Sequence, residues 1–497
     1  MKEQLAFYKK FTRDVGIVGL SQLLITLGGI ILLPILTKTL GAHNYGIWIQ
    51  VMVTISLVVS IVSLGLPFAM VRFIAAEKDK KEIQEGFYSI ITVTFFAALV
   101  VSSLLIVLSG LIANSLFEGE TSIVKLIAII IPVWGMHLTC SNYFRAFRQM
   151  GRLLIFGILV TFGEVGLIGY LVLTGHGIFS AVLSILIVRA VVTFVMLCLI
   201  VSEIGIKLPN FSRIKEYLSF SLPLIPNSLS EWAVRSSDRY IISLFLGVVF
   251  VGFYSPGYAL GSLISVFPGI LTYVLVPTLS KLYDEGKINE VKIILKYSLR
   301  YILMLAIPFF FGASLLSKPL LNMFTTPEIA SQGHLVTPFI ALSALFSGAF
   351  IVMAQALLLV KKTKIIAFTW GISASANLLL NILIVPYLGI LGAAITTLIA
   401  YSLALGITTY YSFQELRFDI EWNFIIKSLV ASGIMALAIW PIYPQSNLNT
   451  IITVVAGVAV YGLALFLLKG FRKEEISFFR GLLRRGAPTA NSDDKTK

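Results

Sequence analysis

Residues Thr37–Trp48 read TKTLGAHNYGIW, and Ser243–Tyr254 read SLFLGVVFVGFY. Laid over each other without a gap, they align Leu40 with Leu246, Gly41 with Gly247 and Gly46 with Gly252. The same offset carries the charged loop Glu77–Glu82 onto the polar stretch Tyr283–Ile288 and Pro132 onto Pro338. After a small insertion, GHGIFSA (Gly175–Ala181) matches YLGILGA (Tyr387–Ala393), with Gly177 on Gly389 and Ala181 on Ala393. Any one match is what chance produces in an apolar, glycine-rich chain. An offset that holds across several loops is the mark of an internal repeat.

The repeated unit is built from membrane spans. The chain has 497 residues, of which 58% are hydrophobic and 12% charged, and its mean hydropathy is +0.94. A soluble protein of this size needs far more surface charge. The apolar runs are each about 20 residues or more, enough at 1.5 Å per residue to span a hydrocarbon core of roughly 30 Å. Windows of high hydropathy between polar breaks predict an all-α polytopic membrane protein of about fourteen transmembrane helices. The first, Val15–Leu36, follows Lys2, Lys9, Lys10 and Arg13; it is longer than the apolar region of a signal peptide and lacks a small-residue cleavage site, so it is expected to stay in place. Helices 1 to 6 then match helices 7 to 12. Six is even, so both copies share one orientation, related by an axis along the membrane normal that leaves a substrate cavity between two lobes. The expected divisions are 1–208 for the first lobe, 209–418 for the second, 419–470 for two helices outside the repeat, and 471–497 for a basic cytoplasmic tail with a disordered end.

Charge sets the expected orientation. Lys and Arg crowd every second loop: Arg72/Lys78/Lys80/Lys81, Arg145/Arg148/Arg152, Lys207/Arg213/Lys215, Lys281/Lys287/Lys292/Lys296, Lys361/Lys362/Lys364 and the tail from Lys469. The intervening NSLFEGET (Asn114–Thr121) is acidic and YPQSNLN (Tyr443–Asn449) uncharged. Retention of positive charge inside places both termini in the cytoplasm of a multi-pass plasma (inner) membrane protein. The net charge of +14 is spread over loops rather than gathered with aromatic residues on one domain, which argues against a nucleic-acid partner and for lipid headgroups. Cys140 and Cys198 both lie in apolar runs, and His43, His137, His176 and His334 are scattered; neither set has the spacing of a disulfide framework or a metal site.

Against this background SEWAVRSSDRYIISLFLG (Ser230–Gly247) stands out, with Glu231, Arg235, Asp238 and Arg239 in a helix expected over 217–238. Glu231, Arg235 and Arg239 are spaced i, i+4, i+8 and share a face. A charge in hydrocarbon costs at least about 2.5 kcal/mol, so that face must meet the bundle interior, water or the outer interface. Pro223 and Pro226 are expected to kink the helix below it. The bland alternative pairs Glu231 with Arg235 and leaves Asp238 and Arg239 marking the helix end. Glu164 (expected helix 5) and Arg189 (expected helix 6) lie near helix centres; they read either as a titratable acid and an anion-binding cation, or as a structural pair. Lys38 reads as an outer-interface anchor.

LPILTKTLGAHNYGIW and DRYIISLFLGVVFVGFYSPGYALGSLI resemble the two signature regions of the polysaccharide-biosynthesis (Wzx-type, O-antigen flippase) branch of the MOP exporter superfamily, which also contains multidrug MATE exporters and lipid II flippases. The resemblance covers nearly the whole chain. It implies a two-lobed, V-shaped transporter moving a polyprenyl-diphosphate-linked oligosaccharide from the inner to the outer leaflet by alternating access. Family members tend to have a cationic lumen, for which Arg189, Arg235 and Arg239 are candidates here. Glu164, Glu231 and Asp238 are the candidates for ion coupling or charge pairing. No cofactor is implied, and whether a proton, a sodium ion or no ion drives transport stays open. A lipid-linked sugar diphosphate suits arginine, which binds diphosphate oxygens bidentately. Glycan polymerases or glycosyltransferases are the partners such a transporter would have. The alternatives are a MATE-like ion-coupled drug exporter, a glycan-assembly enzyme, which the short loops disfavour, and a nontransporting scaffold.

Overall fold

The computed structural model describes residues 2–442 and 444–471, and among them every regular element is a helix. The first half contains α1 (Lys2–Val62), α2 (Leu66–Phe73), α3 (Lys80–Val107), α4 (Ser109–Leu116), α5 (Thr121–Ala146), α6 (Met150–Leu173) and α7 (Gly177–Ile204). The second contains α8 (Ile214–Ser221), α9 (Ile225–Leu246), α10 (Val248–Ser262), α11 (Val266–Asp284), α12 (Ile288–Phe324), α13 (Pro327–Gly333), α14 (Thr337–Leu359) and α15 (Thr363–Glu415); α16 (Trp422–Ile439) and α17 (Asn447–Leu467) follow. Eleven helices among the described residues are long and apolar enough to cross a membrane. The tail expected from residue 471 lies, from residue 472 on, outside the described residues.

Two of these helices are too long to be single crossings. A straight α1 of 61 residues would extend about 90 Å, three times the hydrocarbon thickness. It is interrupted at Gly41, whose φ 73°, ψ 179° are non-helical. Its repeat counterpart Gly247, at φ 96°, ψ 163°, separates α9 from α10 in the same way. In α15 the interruption is Gly389 (φ 60°). There the two arms double back, because Lys362 Nζ reaches Glu415 Oε1 at 2.6 Å and Thr396 Oγ1 donates to Asn381 Oδ1 at 2.7 Å. Glycine supplies the positive φ these breaks need, where a Cβ would cost energy. Gly41, Gly247 and Gly389, three of the glycines that reveal the repeat in the sequence, are therefore its turns.

The charged helix differs from its expected span. Helical backbone runs from Ile214 through the 3₁₀ turn Leu222–Leu224 to Leu246, so the expected span 217–238 ends too early. Pro223 lies in the 3₁₀ turn Leu222–Leu224 and Pro226 in the first turn of α9. The backbone stays helical through Ser221–Ile225, so Pro223 and Pro226 break the α-helical ladder into one tighter turn within a single helical run, at the place where the kink was expected. Asp238 and Arg239 are consequently about two turns inside α9. The residues before it dock on the first lobe: Tyr217 of α8 is buried with Met70, Phe87 and Phe144. Arg213 pairs with Glu77 at 3.0 Å and Glu82 at 3.3 Å, and Lys207 with Glu85 at 2.7 Å. The hydrogen bond from Arg213 holds the Glu77 carboxyl below the ordinary carboxylate range.

The two lobes approach closely at a pair of repeated glycines. A Cβ on Gly46 would fall 2.0 Å from the Val248 carbonyl oxygen, and one on Gly252 2.0 Å from that of Ala42. Ala42 and Val248 occupy the same place in the repeat, so the contact is reciprocal across a pseudo-twofold axis. Around it, Glu118 Oε1 accepts the Val248 amide at 3.1 Å. Lys38, expected only to anchor at the interface, donates to the Met323 carbonyl at 2.8 Å at the end of α12. The final pair of helices packs on α12, where Tyr461 donates to the Met304 carbonyl at 2.9 Å.

Candidate functional site

Between the second half of α1 and the pair α9–α10 lies a cavity of about 310 Å³. Tyr45, Met52 and Ser56 line it from α1, Arg239 from α9, and Ser255 and Tyr258 from α10. Each wall comes from a different lobe. Tyr254 and Tyr258 are one turn apart on α10 and present their rings to one guanidinium, 5.2 and 3.8 Å from the Arg239 Cζ. Arg239 Nη1 also lies 2.7 Å from Asp238 Oδ1 and donates to the Arg235 carbonyl at 2.6 Å. The Tyr254 hydroxyl donates to the second oxygen of Asp238. With Asp238 fully buried and Arg239 7% exposed, this is a charge pair walled by aromatic rings, the setting in which a cation–π contact is worth about 2 kcal/mol.

Arg235, one turn below on the same face, is held more loosely. Its Nη1 lies 3.3 Å from Glu231 Oε1, and the two side chains are 61% and 43% exposed. The four charges singled out from the sequence thus form two pairs of unlike character: one buried and rigid, the other open. Just behind them is a buried polar chain. Ser237 donates to Asn377 Oδ1 at 3.4 Å, Asn381 donates to the same oxygen at 3.1 Å, and Thr396 donates to Asn381. The Asn377 amide nitrogen has no hydrogen-bond partner there.

The structure does not bring Arg189 to this cavity. Its Nε lies 2.8 Å from Glu164 Oε1 inside the first lobe, and its guanidinium is stacked 3.3 Å over the Trp134 ring. Among the described residues no cluster of three His, Cys, Asp or Glu is placed to hold a metal. Sequence reasoning missed the neutral part of the site: Tyr45, Tyr258 and the serines of the wall, and the ties Trp232 Nε1 to Ser56 Oγ and Tyr240 OH to Thr54 Oγ1, both 2.9 Å, that join α9 to α1 across the lobes. Only the i, i+4 spacing of Tyr254 and Tyr258 hinted at them.

Comparison with known proteins agrees with this architecture. The family model described as polysaccharide biosynthesis protein matches residues 11–283, more than half of the chain, and the MatE model matches 223–383. The probable flippase AglR of Haloferax volcanii is 26% identical over 50% of this chain and 54% of its own length. The probable low-salt glycan biosynthesis flippase Agl15 of the same organism is 21% identical over 56% of this chain and 59% of its own. The chain thus spans between half and two thirds of the length of these curated relatives. Lipid II flippase MurJ in an inward closed conformation superposes with a TM-score of 0.74 at 17% identity, covering 95% of this chain and all of that one. An inward-facing multidrug resistance MATE transporter of the MOP superfamily superposes at 0.61 and 14% identity over 80% of this chain and 94% of its own. The fold is that of these transporters.

Proposed function

We propose that this chain, which belongs to the polysaccharide biosynthesis protein family, is a flippase that carries a polyprenyl-diphosphate-linked oligosaccharide from the inner to the outer leaflet. The observation that carries this reading is the cavity between the lobes, with a guanidinium fixed in its wall beside tyrosine and serine side chains. A sugar offers hydroxyls to serine and tyrosine and a face to aromatic rings; a diphosphate offers oxygens to arginine. Arg235 does not itself line this cavity, but of the two arginines its side chain is the more exposed, 3.3 Å from Glu231, and it is the one able to move onto a phosphate. Arg239 supplies a fixed positive field, and Asp238 and Glu231 balance the two charges when no anion is present. Alternating access follows from a seam of two lobes, and a lateral opening leaves the prenyl tail in lipid.

Orientation is part of the proposal: the basic loops face the cytoplasm of a plasma membrane, with both termini inside. No enzymatic step is assigned. For ion coupling, each candidate acid carries an arginine partner: Glu164 with Arg189, Glu231 with Arg235, Asp238 with Arg239. A coupling proton or sodium ion would therefore act by displacing an arginine. Glycosyltransferases or a polymerase working on the same glycan would be the partners.

The test is purified protein in liposomes with a fluorescent lipid-linked glycan, scored for leaflet translocation, alongside efflux of a cationic dye. Translocation without efflux is expected. The drug-exporter reading rests on the match of residues 223–383 to the MatE model; dye efflux without glycan translocation would establish it and sink the flippase. Imposed sodium and proton gradients in the same vesicles identify the driving ion.

A further inference from the structure

A second cavity, of about 470 Å³, lies outside the repeat, where α16 begins and α17 ends against α12. Arg300, Lys427 and Lys469 line it, with Glu421, Trp422 and Asn423. Among the described residues that line it, the three cations outnumber the one carboxylate, which Lys296 also approaches at 3.5 Å. Arg300 is 5% exposed and fixed: Nη1 lies 2.5 Å from Glu421, Nη2 donates to the Gly470 carbonyl at 2.7 Å, and the guanidinium sits 4.4 Å from the Phe424 ring centroid. Lys427 Nζ donates to the Lys469 carbonyl at 3.1 Å, which uses one of its three N–H donors. The walls are a built set of donors rather than a loose surface patch.

Its position in the fold says what fills it. Trp422, 65% exposed at the start of α16, is an aromatic side chain of the kind that sits at headgroup level. Beyond it the surface is apolar: Ile426 and Leu429 on α16, and Phe466 and Leu467 on α17, are all exposed large hydrophobics. A cationic pocket at the membrane surface that opens onto an apolar wall matches a molecule with a phosphate head and acyl tails. We propose that this cavity binds the headgroup of an anionic phospholipid, with its acyl chains lying along α16 and α17. The site is independent of the cavity between the lobes and does not rest on what that cavity carries.

The full-length protein in detergent, titrated with dioctanoyl phosphatidylglycerol and followed by thermal unfolding, tests this, since a ligand of the folded state raises the midpoint in a saturable way. Half-saturation should rise about fivefold in each of Lys427→Gln and Lys469→Gln, and more in the double variant. The Lys427→Arg/Lys469→Arg protein should keep wild-type half-saturation, as should Lys80→Gln/Lys81→Gln, which removes equal charge from another basic loop. The proposal is overturned if phosphatidylglycerol gives no saturable shift, if the Lys427→Gln/Lys469→Gln protein responds like wild type, or if dioctanoyl phosphatidylcholine protects equally. Equal protection by inorganic phosphate alone would overturn the lipid and leave a free-anion site.

Discussion

Arg239 and Arg235 are one turn apart and should fail differently when removed. Arg239→Ala leaves Asp238, which is fully buried, without its cation; stranding a buried charge costs about 3–5 kcal/mol, so the variant should unfold at lower temperature. Arg235 is open and only loosely paired. Arg235→Ala should therefore keep its stability and weaken substrate affinity by about tenfold or more, the loss of a charge-assisted bond of about 1.5–3 kcal/mol. Arg235→Lys should recover part of it, because an ammonium lacks the bidentate fork. Thermal unfolding and glycan binding measured on the same preparations separate the two, and a wild-type affinity for well-folded Arg235→Ala would remove it from the substrate path. In the first lobe, Glu164→Gln alone should destabilise by stranding Arg189. The double change Glu164→Gln with Arg189→Gln should restore folding; restored transport as well would leave Glu164 no coupling role.

At the scale of helices, the reciprocal glycine contact makes a sharper demand. Gly46→Ala and Gly252→Ala each place a methyl 2.0 Å from a facing carbonyl oxygen, so the second half of α1 and α10 would have to separate. Either change should abolish the close approach of the lobes and transport with it, and a cysteine introduced by Ser236→Cys, at an α9 residue that lines the cavity between the lobes, should become accessible to an external membrane-impermeant thiol reagent. Gly29→Ala, which meets nothing within 4 Å, serves as the control; unchanged labelling in a folded Gly46→Ala protein would contradict closure at this contact. The docking of α8 has a pH signature. Because Arg213 depresses the Glu77 carboxyl, the pair stabilises the folded state above the ordinary carboxylate range and its contribution is lost as pH falls through the lowered value. Hydrogen exchange in Ile214–Ser221 should rise on acidification, and in Glu77→Gln it should already be raised at neutral pH; exchange independent of Glu77 would dissociate the two.

The whole molecule is a polytopic membrane protein, and its orientation is the property most cheaply measured. A reporter active only outside the cell should be active fused after Gly119 or Ser446 and silent after Lys80 or Lys362; activity at Lys80 would break the alternation of basic loops. At this scale the sequence by itself determined a great deal. Membrane class follows from hydropathy because each span must satisfy lipid on its own, and the repeat follows from glycines at Gly41, Gly247 and Gly389 because only positive φ turns the chain there. Even the shared face of Glu231, Arg235 and Arg239 is a matter of helical period. What the sequence left open are relations between helices. The charged helix was ended too early because Asp238 and Arg239 look like a helix end, and only their burial against Tyr254 places them inside it; the docking of α8 on the first lobe was likewise not legible. Which acid holds which arginine, and that Arg189 is occupied by Glu164 and Trp134 while Arg239 faces the seam, depend on distances across segments far apart in the chain. Period and composition act within one helix; only packing brings Tyr258 of one lobe and Tyr45 of the other to the same cavity.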